Sequence, residues 1–398
     1  MPRRSRLFVP ALAAVALVTA LGVATPVTAS GATAASAASA APSGTPVRIG
    51  LEAPITGDQA ALGEGMLFGA RLAADRVNAR GGFAGRPVEI VPIDDQADPT
   101  VGVAAARAAI AAGLDGVVGP YNSGVGVETL PLYRAAGLVP VRLTSAEATS
   151  GEGITLQPMA SQIAPVAAKA LVTWLKARTV AIAYDASTVY TQTVAAALKS
   201  DLETSGATVS AFAPFQPGAT SYQSAVQALL ATKPDVVYFA AYYPEGALMA
   251  QAMVAVGGST KCVADYASYD QGYIQVAGPD ARSRCTVGGV PAPDEFAGSA
   301  KYVTAYRKQF SKAPGSWSPY TFDSVNILLD AAKRAGGFSA GPLQAALTSI
   351  GFTGWTGPVA IEPRTGNRVP ATVVMTEVEP KVGFRIDPQW AKAVHAKF

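Results

Sequence analysis

The sequence predicts an α/β protein built as two doubly wound lobes with a ligand cleft between them. Strand-like apolar runs alternate with helical patterns through short turns, which implies parallel strands. The alternation starts over near residue 160. The strands then outnumber what one sheet of this kind usually holds, so two lobes without a linker of any length are the economical arrangement.

The first strand is VRIGLEAPIT, from Val47, and the helix MLFGARLAADRVNARGG follows. Leu67, Ala70, Ala74 and Val77 share one face of that helix, and Gly81-Gly82 stop it. RPVEIVPIDDQ is the next strand, after which Asp98 caps a helix with Pro99 at its first position. LDGVVGP and LVPVRLT are strands on either side of the helix VETLPLYRAAG. The second cycle is APVAAKALVTWLKAR, TVAIAYD, TQTVAAALKSDLETSG and ATVSAFAPF; a third is SYQSAVQALLATK, PDVVYFAAY, EGALMAQAMVAVGG and KCVAD. Residues 295–335 hold two more helices, and GPVAIEPRTGNRVPATVVMTEVEP reads as a β-hairpin turning at Thr365-Gly366-Asn367.

The ends of the chain speak to its compartment. The formal charge of +3 comes from Arg3, Arg4 and Arg6, and without them 28 basic residues face 28 acidic ones. A neutral chain with no basic run offers no footprint for nucleic acid. The three arginines precede LFVPALAAVALVTALGVA, which predicts a secretory signal over residues 1–29, cut after Ala29. An uncleaved membrane anchor is the competing reading of the same run. No cysteine occurs before Cys262, which predicts no N-terminal lipid anchor. Residues 30–46, SGATAASAASAAPSGTP, carry no large apolar group and read as a flexible spacer. Cys262 and Cys285 are an even pair in an exported chain, so one disulfide is expected between them. Two cysteines and the lone His395 are too few ligands for a metal site.

The stretch VGPYNSG, residues 118–124, is where function first shows. A strand ends at Gly119-Pro120, and Asn122, Ser123 and Gly124 precede a new helix. Such a turn leaves backbone N–H groups unpaired at a helix start, with a hydroxyl beside them and no Cβ at Gly124, and so suits an anion. It would equally serve as an ordinary connection between strand and helix. In an open α/β sheet ligands sit outside the carboxyl ends of the strands, so the turn would face the cleft.

Catalytic patterns are absent. His395 lies near the C-terminus, away from any serine or cysteine it would activate. Asp94-Asp95 form a carboxylate pair, but neighbouring strand residues point to opposite faces, and a solvated strand end beside a helix start is the favoured reading. The turn APITGDQAALGEG is not a dinucleotide fingerprint, and no glycine-rich loop leads into Lys-Ser/Thr. No cofactor is expected.

Three stretches, VRIGLEAPITGDQAALGEGMLFGARLAADRVNARGGFAGRPVEIVPIDDQADP, VVGPYNSG and PDVVYFAAYYPEGALMAQAMVAVG, occur in one succession. In that order they resemble the periplasmic leucine/isoleucine/valine-binding proteins of ABC transporters, with the type I periplasmic binding protein fold, from about Val47 to Gly383. The resemblance implies two lobes joined by three crossovers, near residues 157–162, 287–292 and 357–372. It places residues 47–160 and 290–370 in lobe 1 and residues 161–289 and 371–398 in lobe 2. In the resembled family a serine of this turn holds the ligand's carboxylate, a role that falls to Ser123. Thr144 and Ser145 would supply the second group, and Tyr190 and Tyr242 the aromatic cover from the second lobe. The family's ammonium-binding glutamate corresponds to Tyr266, with Asp265 beside it; a first-lobe aromatic corresponds to Leu62, and a hydroxyl residue to Ala146. A bare ammonium in a closed cleft is costly, so either Asp265 reaches it or the ligand has none.

The resemblance thus implies an exported binding protein that delivers an amino acid or other small carboxylate to a membrane permease. A sensor or receptor-type binding protein for a small amide or des-amino acid is the competing class. An enzyme would need Asp94 and Asp95, or Glu147, to form a site.

Overall fold

The computed structural model describes residues 41–396. The expected signal at 1–29, and the spacer as far as residue 40, lie outside the described residues. The end of the spacer is tied down rather than flexible. Ser43 N–H donates to the Gly85 carbonyl, and the Arg86 guanidinium holds the carbonyls of Thr45 and Pro46.

The chain opens with β1 (Val47–Ala53), α1 (Ala60–Asn78), β2 (Val88–Asp94), α2 (Pro99–Ala111), β3 (Gly116–Val118), α3 (Ser123–Ala135), β4 (Pro140–Arg142) and β5 (Ile154–Thr155). The five strands make one parallel sheet in the order β2-β1-β3-β4-β5. Every residue of β1 but Arg48 is buried, Gly50 and Glu52 on one face and Val47, Ile49, Leu51 and Ala53 on the other, as a parallel strand covered on both faces requires. Asp98 caps α2 as expected, accepting from the N–H groups of Thr100 and Val101, with Pro99 inside the first turn. α1 starts at Ala60, earlier than the apolar face predicts, and runs through Gly63 and Gly65. Those glycines mark close approach rather than a break: a Cβ at Gly63 would fall 2.1 Å from the Pro54 carbonyl oxygen.

The second set of elements is α4 (Ala160–Lys169), β6 (Thr179–Asp185), α5 (Val189–Thr204), β7 (Thr208–Phe215), α6 (Gln223–Ala231), β8 (Val236–Ala240), α7 (Tyr243–Val256), β9 (Lys261–Ala264), α8 (Gln271–Ala281) and β10 (Thr286–Gly289). α9 (Ala300–Phe310), α10 (Ser318–Ala335) and α11 (Ala340–Ser349) follow. The chain finishes with β11 (Phe352–Gly354), β12 (Gly357–Val359), β13 (Val374–Glu379), β14 (Gly383–Ile386) and α12 (Pro388–Val394). The second sheet has the order β14-β13-β10-β9-β8-β6-β7, parallel from β10 to β7 and antiparallel at β13 and β14. Cys262 in β9 is disulfide-bonded to Cys285, the residue before β10.

The chain passes between the sheets after β5, after β10 to reach α9 and α10, which pack on α1, and again before β13. Both sheets belong to one compact unit, Ser39–Phe398.

The hairpin expected around Thr365-Gly366-Asn367 shrinks to a single bridge between Ile361 and Arg368. Pro363 and Pro370 offer no N–H to a ladder. The backbone at the tip is used elsewhere: Gly151 N–H donates to the Thr365 carbonyl and Thr155 N–H to that of Gly366. Buried Arg142 adds bonds to the Thr365 carbonyl and the Asn367 side chain. The segment therefore seals a crossover onto the first lobe, and pairing occurs on either side of it, in β11-β12 and β13-β14.

Candidate functional site

β3 delivers the chain to α3 through a tight turn. Gly119 has φ 96°, and a Cβ there would sit 2.1 Å from the Glu52 carbonyl oxygen. Asn122 then precedes α3 in extended conformation, with no side-chain cap, so the first amides of the helix keep their donors free of intrahelical partners. The Ser123 hydroxyl oxygen accepts from the N–H groups of Ser145 and Ala146, both at 3.1 Å. With its oxygen occupied by two donors, the hydroxyl retains its own proton to donate. Gly126, one turn on, lets the chain after β4 come this close, since a Cβ there would meet Thr144 Cγ2 at 2.6 Å.

A small cavity of about 10 Å³ lies against this turn. Tyr121, Ser123, Ser145 and Gln157 line it on the side of the first sheet, and Tyr190, Tyr242 and Tyr266 on the side of the second. Gln157 is wholly buried. Its Oε1 lies 3.4 Å from the Tyr266 hydroxyl and 3.5 Å from the Ser145 hydroxyl. Its Nε2 has no partner, while the Tyr190 hydroxyl is directed at the buried Asp265 carboxyl. The wall therefore presents hydroxyls and an unpaired amide donor, and no carboxylate.

Aromatic rings continue around the cavity. Tyr190 packs on Tyr242 at 6.1 Å between centroids, Tyr242 on Tyr121 at 6.3 Å, Tyr121 on Trp317 at 5.4 Å, and Trp317 on Tyr266 at 5.1 Å. These tilted and edge-on arrangements avoid the face-to-face sandwich that the ring quadrupoles disfavour.

Of the residues singled out in the sequence, Ser123, Ser145, Tyr190, Tyr242 and Tyr266 meet at the cavity, and Asn122 stands at the wider mouth, its Nδ2 donating to Gln59. The others lie behind the wall. The Thr144 hydroxyl is paired with that of Thr149 at 2.7 Å. The Asp265 carboxyl accepts from the Tyr238 hydroxyl and from Ala267 N–H, and burial raises its pKa. Leu62 is packed into the core. Sequence reasoning passed over Tyr121, Gln157 and Trp317. Tyr121 sat inside VGPYNSG, while nothing local marks Gln157 or Trp317, which reach the site through the fold.

The acids considered for catalysis serve turns. Asp94 accepts from the N–H groups of Ile55 and Thr56, Glu147 accepts from Ser161 N–H, and Asp95 is buried with Ala97 N–H on one oxygen. None lines the cavity. Among the described residues no group of three or more His, Cys, Asp or Glu is placed to hold a metal ion, and no helix is long and apolar enough to cross a membrane.

Charge is distributed unevenly around the site. Arg142 is wholly buried behind Thr144, donating to its carbonyl and hydroxyl, and burial lowers its pKa to about 10. Outside the cavity, the mouth of the cleft is lined by Asp58, Asp98, Asp185 and Glu245 and by no basic side chain.

A profile described as periplasmic binding protein matches residues 46–382. The Leu/Ile/Val-binding protein BraC3 of Rhizobium johnstonii is 35% identical over 210 residues, 52% of this chain and 57% of that protein, so the match spans little more than half of the relative. A leucine binding protein from Thermotoga maritima superposes with a TM-score of 0.79 at 22% identity, covering 86% of this chain and 99% of that one. A solute binding protein of an ABC transporter from R. palustris, solved with 4-hydroxybenzoate, superposes with a TM-score of 0.77 at 17% identity, covering 87% and 99%.

Proposed function

Since the chain belongs to the periplasmic binding protein family over residues 46–382, we propose that it is the extracytoplasmic substrate-binding component of an ABC transporter. It closes two lobes on a small carboxylate-bearing ligand and presents that ligand to a membrane permease. The observation that carries this reading is the donor-lined cavity at the start of α3, walled by both lobes. Ser123 donates its proton to the ligand carboxylate, and Ser145 and Gln157 complete the cradle. A helix N-terminus favours an anion by about 0.3–2 kcal/mol, and bonds to a charged group are stronger than neutral ones. Tyr190, Tyr242 and Tyr266 close over the ligand from the second lobe.

Residues 1–29 act as the export signal in this reading, and the Cys262–Cys285 disulfide fits an oxidising compartment. The protein is not an enzyme in this account, because its candidate acids hold turns instead of facing the ligand.

A thermal-shift panel of small carboxylates, each paired with its primary amide, tests the proposal. A ligand at a hundredfold excess over its Kd adds about 2.7 kcal/mol. Carboxylates should raise Tm where their amides do not; amides that match their acids would remove the anion cradle from the account.

A further inference from the structure

Resting on the reading of this cleft as a carboxylate site, we propose that Arg142 is a positioning residue for the ligand carboxylate: a buried counter-charge that acts through the Thr144–Ser145 peptide and the Ser123 hydroxyl.

Arg142 carries a charge that no acid balances. It lies at the end of β4 and is wholly buried. Its guanidinium donates to the Thr144 carbonyl and hydroxyl, the Thr149 hydroxyl, the Met159 sulfur, the Thr365 carbonyl and the Asn367 side-chain oxygen. Every one of these acceptors is neutral. Among the described residues no carboxylate lies within ion-pair distance of it. Glu152 and Glu147 act on it only through space; Glu152 is partly exposed beside Arg134, and Glu147 is exposed. Buried charges are ordinarily paired, because an unpaired one forfeits its hydration. Neutral acceptors replace part of that hydration and leave the charge uncancelled.

A short route joins this charge to the cavity. The Thr144 carbonyl, 3.3 Å from Arg142 Nη1, belongs to the same peptide group as the Ser145 N–H, which donates to the Ser123 hydroxyl at 3.1 Å. A cation at the carbonyl end polarises that peptide and makes its N–H a stronger donor. The Ser123 hydroxyl, accepting from it, becomes a stronger donor in turn. Ser123 and Ser145 both line the cavity. Two hydrogen bonds and one peptide thus separate the guanidinium from the hydroxyl that meets the ligand, in a buried medium that screens little. The ligand carboxylate is the counter-ion that the lobe lacks.

The turn at Thr365-Gly366-Asn367 has its part here. It brings two of the neutral acceptors from the crossover before β13, and it is itself held by the N–H groups of Gly151 and Thr155. Asn367 orients the guanidinium without neutralising it, while its Nδ2 donates to the Ser150 hydroxyl at 3.1 Å. The substitution Asn367→Asp would place an acid on Arg142 before any ligand arrives, and the Ser150 hydroxyl could donate to that acid in place of accepting.

The test is calorimetric titration of the full mature protein with two acid–amide pairs, L-leucine with L-leucinamide and 4-hydroxybenzoate with 4-hydroxybenzamide, beside urea melts of each free variant. Wild type should prefer the acid of at least one pair. Arg142→Gln should cut that preference about 30-fold, and Arg142→Lys, which keeps the charge, should restore most of it. Asn367→Asp should weaken the acid about 10-fold, leave the amide unchanged and not lower the urea midpoint, so it decides the matter even if Arg142→Gln does not fold. A merely structural arginine predicts otherwise: acid and amide lost alike in Arg142→Gln, or an acid affinity untouched by Asn367→Asp. Either result overturns the inference and leaves the carboxylate site standing. Wild type that holds no acid more tightly than its amide removes the carboxylate reading, and this inference with it.

Discussion

The Tyr243 hydroxyl, at the start of α7 beside the second sheet, donates to the Asp58 carbonyl, in the turn that follows β1 of the first sheet, at 2.6 Å. The bond spans the cleft at its mouth. Together with the ring contact of Tyr242 on Tyr121 and that of Tyr266 on Trp317, it describes lobes in direct contact. In the proposed binding cycle such contacts would be made only with the lobes closed, so each would bias the equilibrium between open and closed forms.

Tyr243→Phe should therefore weaken ligand binding without unfolding either lobe. A neutral hydrogen bond contributes about 0.5–1.5 kcal/mol, so affinity should fall roughly 2- to 10-fold while the Tm of the free protein changes little. Small-angle scattering of the free variant should show a larger radius of gyration than wild type. Unchanged affinity and radius would mean that the bond has no part in closure.

Removing the Cys262–Cys285 link should lower stability and spare the site. The disulfide joins residues 23 apart and ties β9 to the start of β10, at the end of those strands away from Tyr266. Cross-links of that span restrict the unfolded chain by about 3 kcal/mol. The double variant Cys262→Ser/Cys285→Ser should melt earlier in urea with its ligand affinity unchanged. An equal loss of affinity would tie the link to the cleft.

Stability should fall as pH rises from 4 to 7. Burial pushes Asp95 from 3.8 up to about 7, and Glu52, wholly buried nearby with Thr129 on one oxygen, is raised as well. An acid whose folded pKa is raised binds its proton more tightly in the folded state than in the unfolded one. Its contribution is therefore full below the unfolded value and is lost as pH climbs to the folded value. Asp95→Asn should flatten the stability curve over that interval and leave the variant less sensitive to pH than wild type in urea melts at pH 5 and 7.5. A curve as steep as wild type would place the ionisation elsewhere.

Much of the fold is legible in the sequence because its elements are local. Asp98-Pro99 announces α2, and the apolar strands between short turns give the parallel strands of both sheets. The start of α1 is not legible, since Gly63 and Gly65 look like a break until Pro54 and Gly315 are seen against them. The Thr365 turn is misleading for the opposite reason: its composition suits a hairpin, but Arg142 and the crossover take its hydrogen bonds. At the site, Ser123 is visible through its helix start. Asp265 is visible as an acid, yet only the fold shows that Tyr238 occupies it. Gln157 comes to the cavity from the crossover after β5, and Trp317, from the loop before α10, packs behind Tyr121 and Tyr266; no local pattern marks either.

The most direct test of the carboxylate cradle is the binding isotherm of Ser123→Ala beside wild type, using the carboxylate that gives the largest thermal shift. The Ser123 oxygen holds two N–H groups and its proton faces the ligand in this account. A hydrogen bond to a charged group contributes about 1.5–3 kcal/mol, so affinity should fall roughly 10- to 100-fold for the acid. An affinity within twofold of wild type, in a variant that folds normally, would show that the carboxylate lies elsewhere.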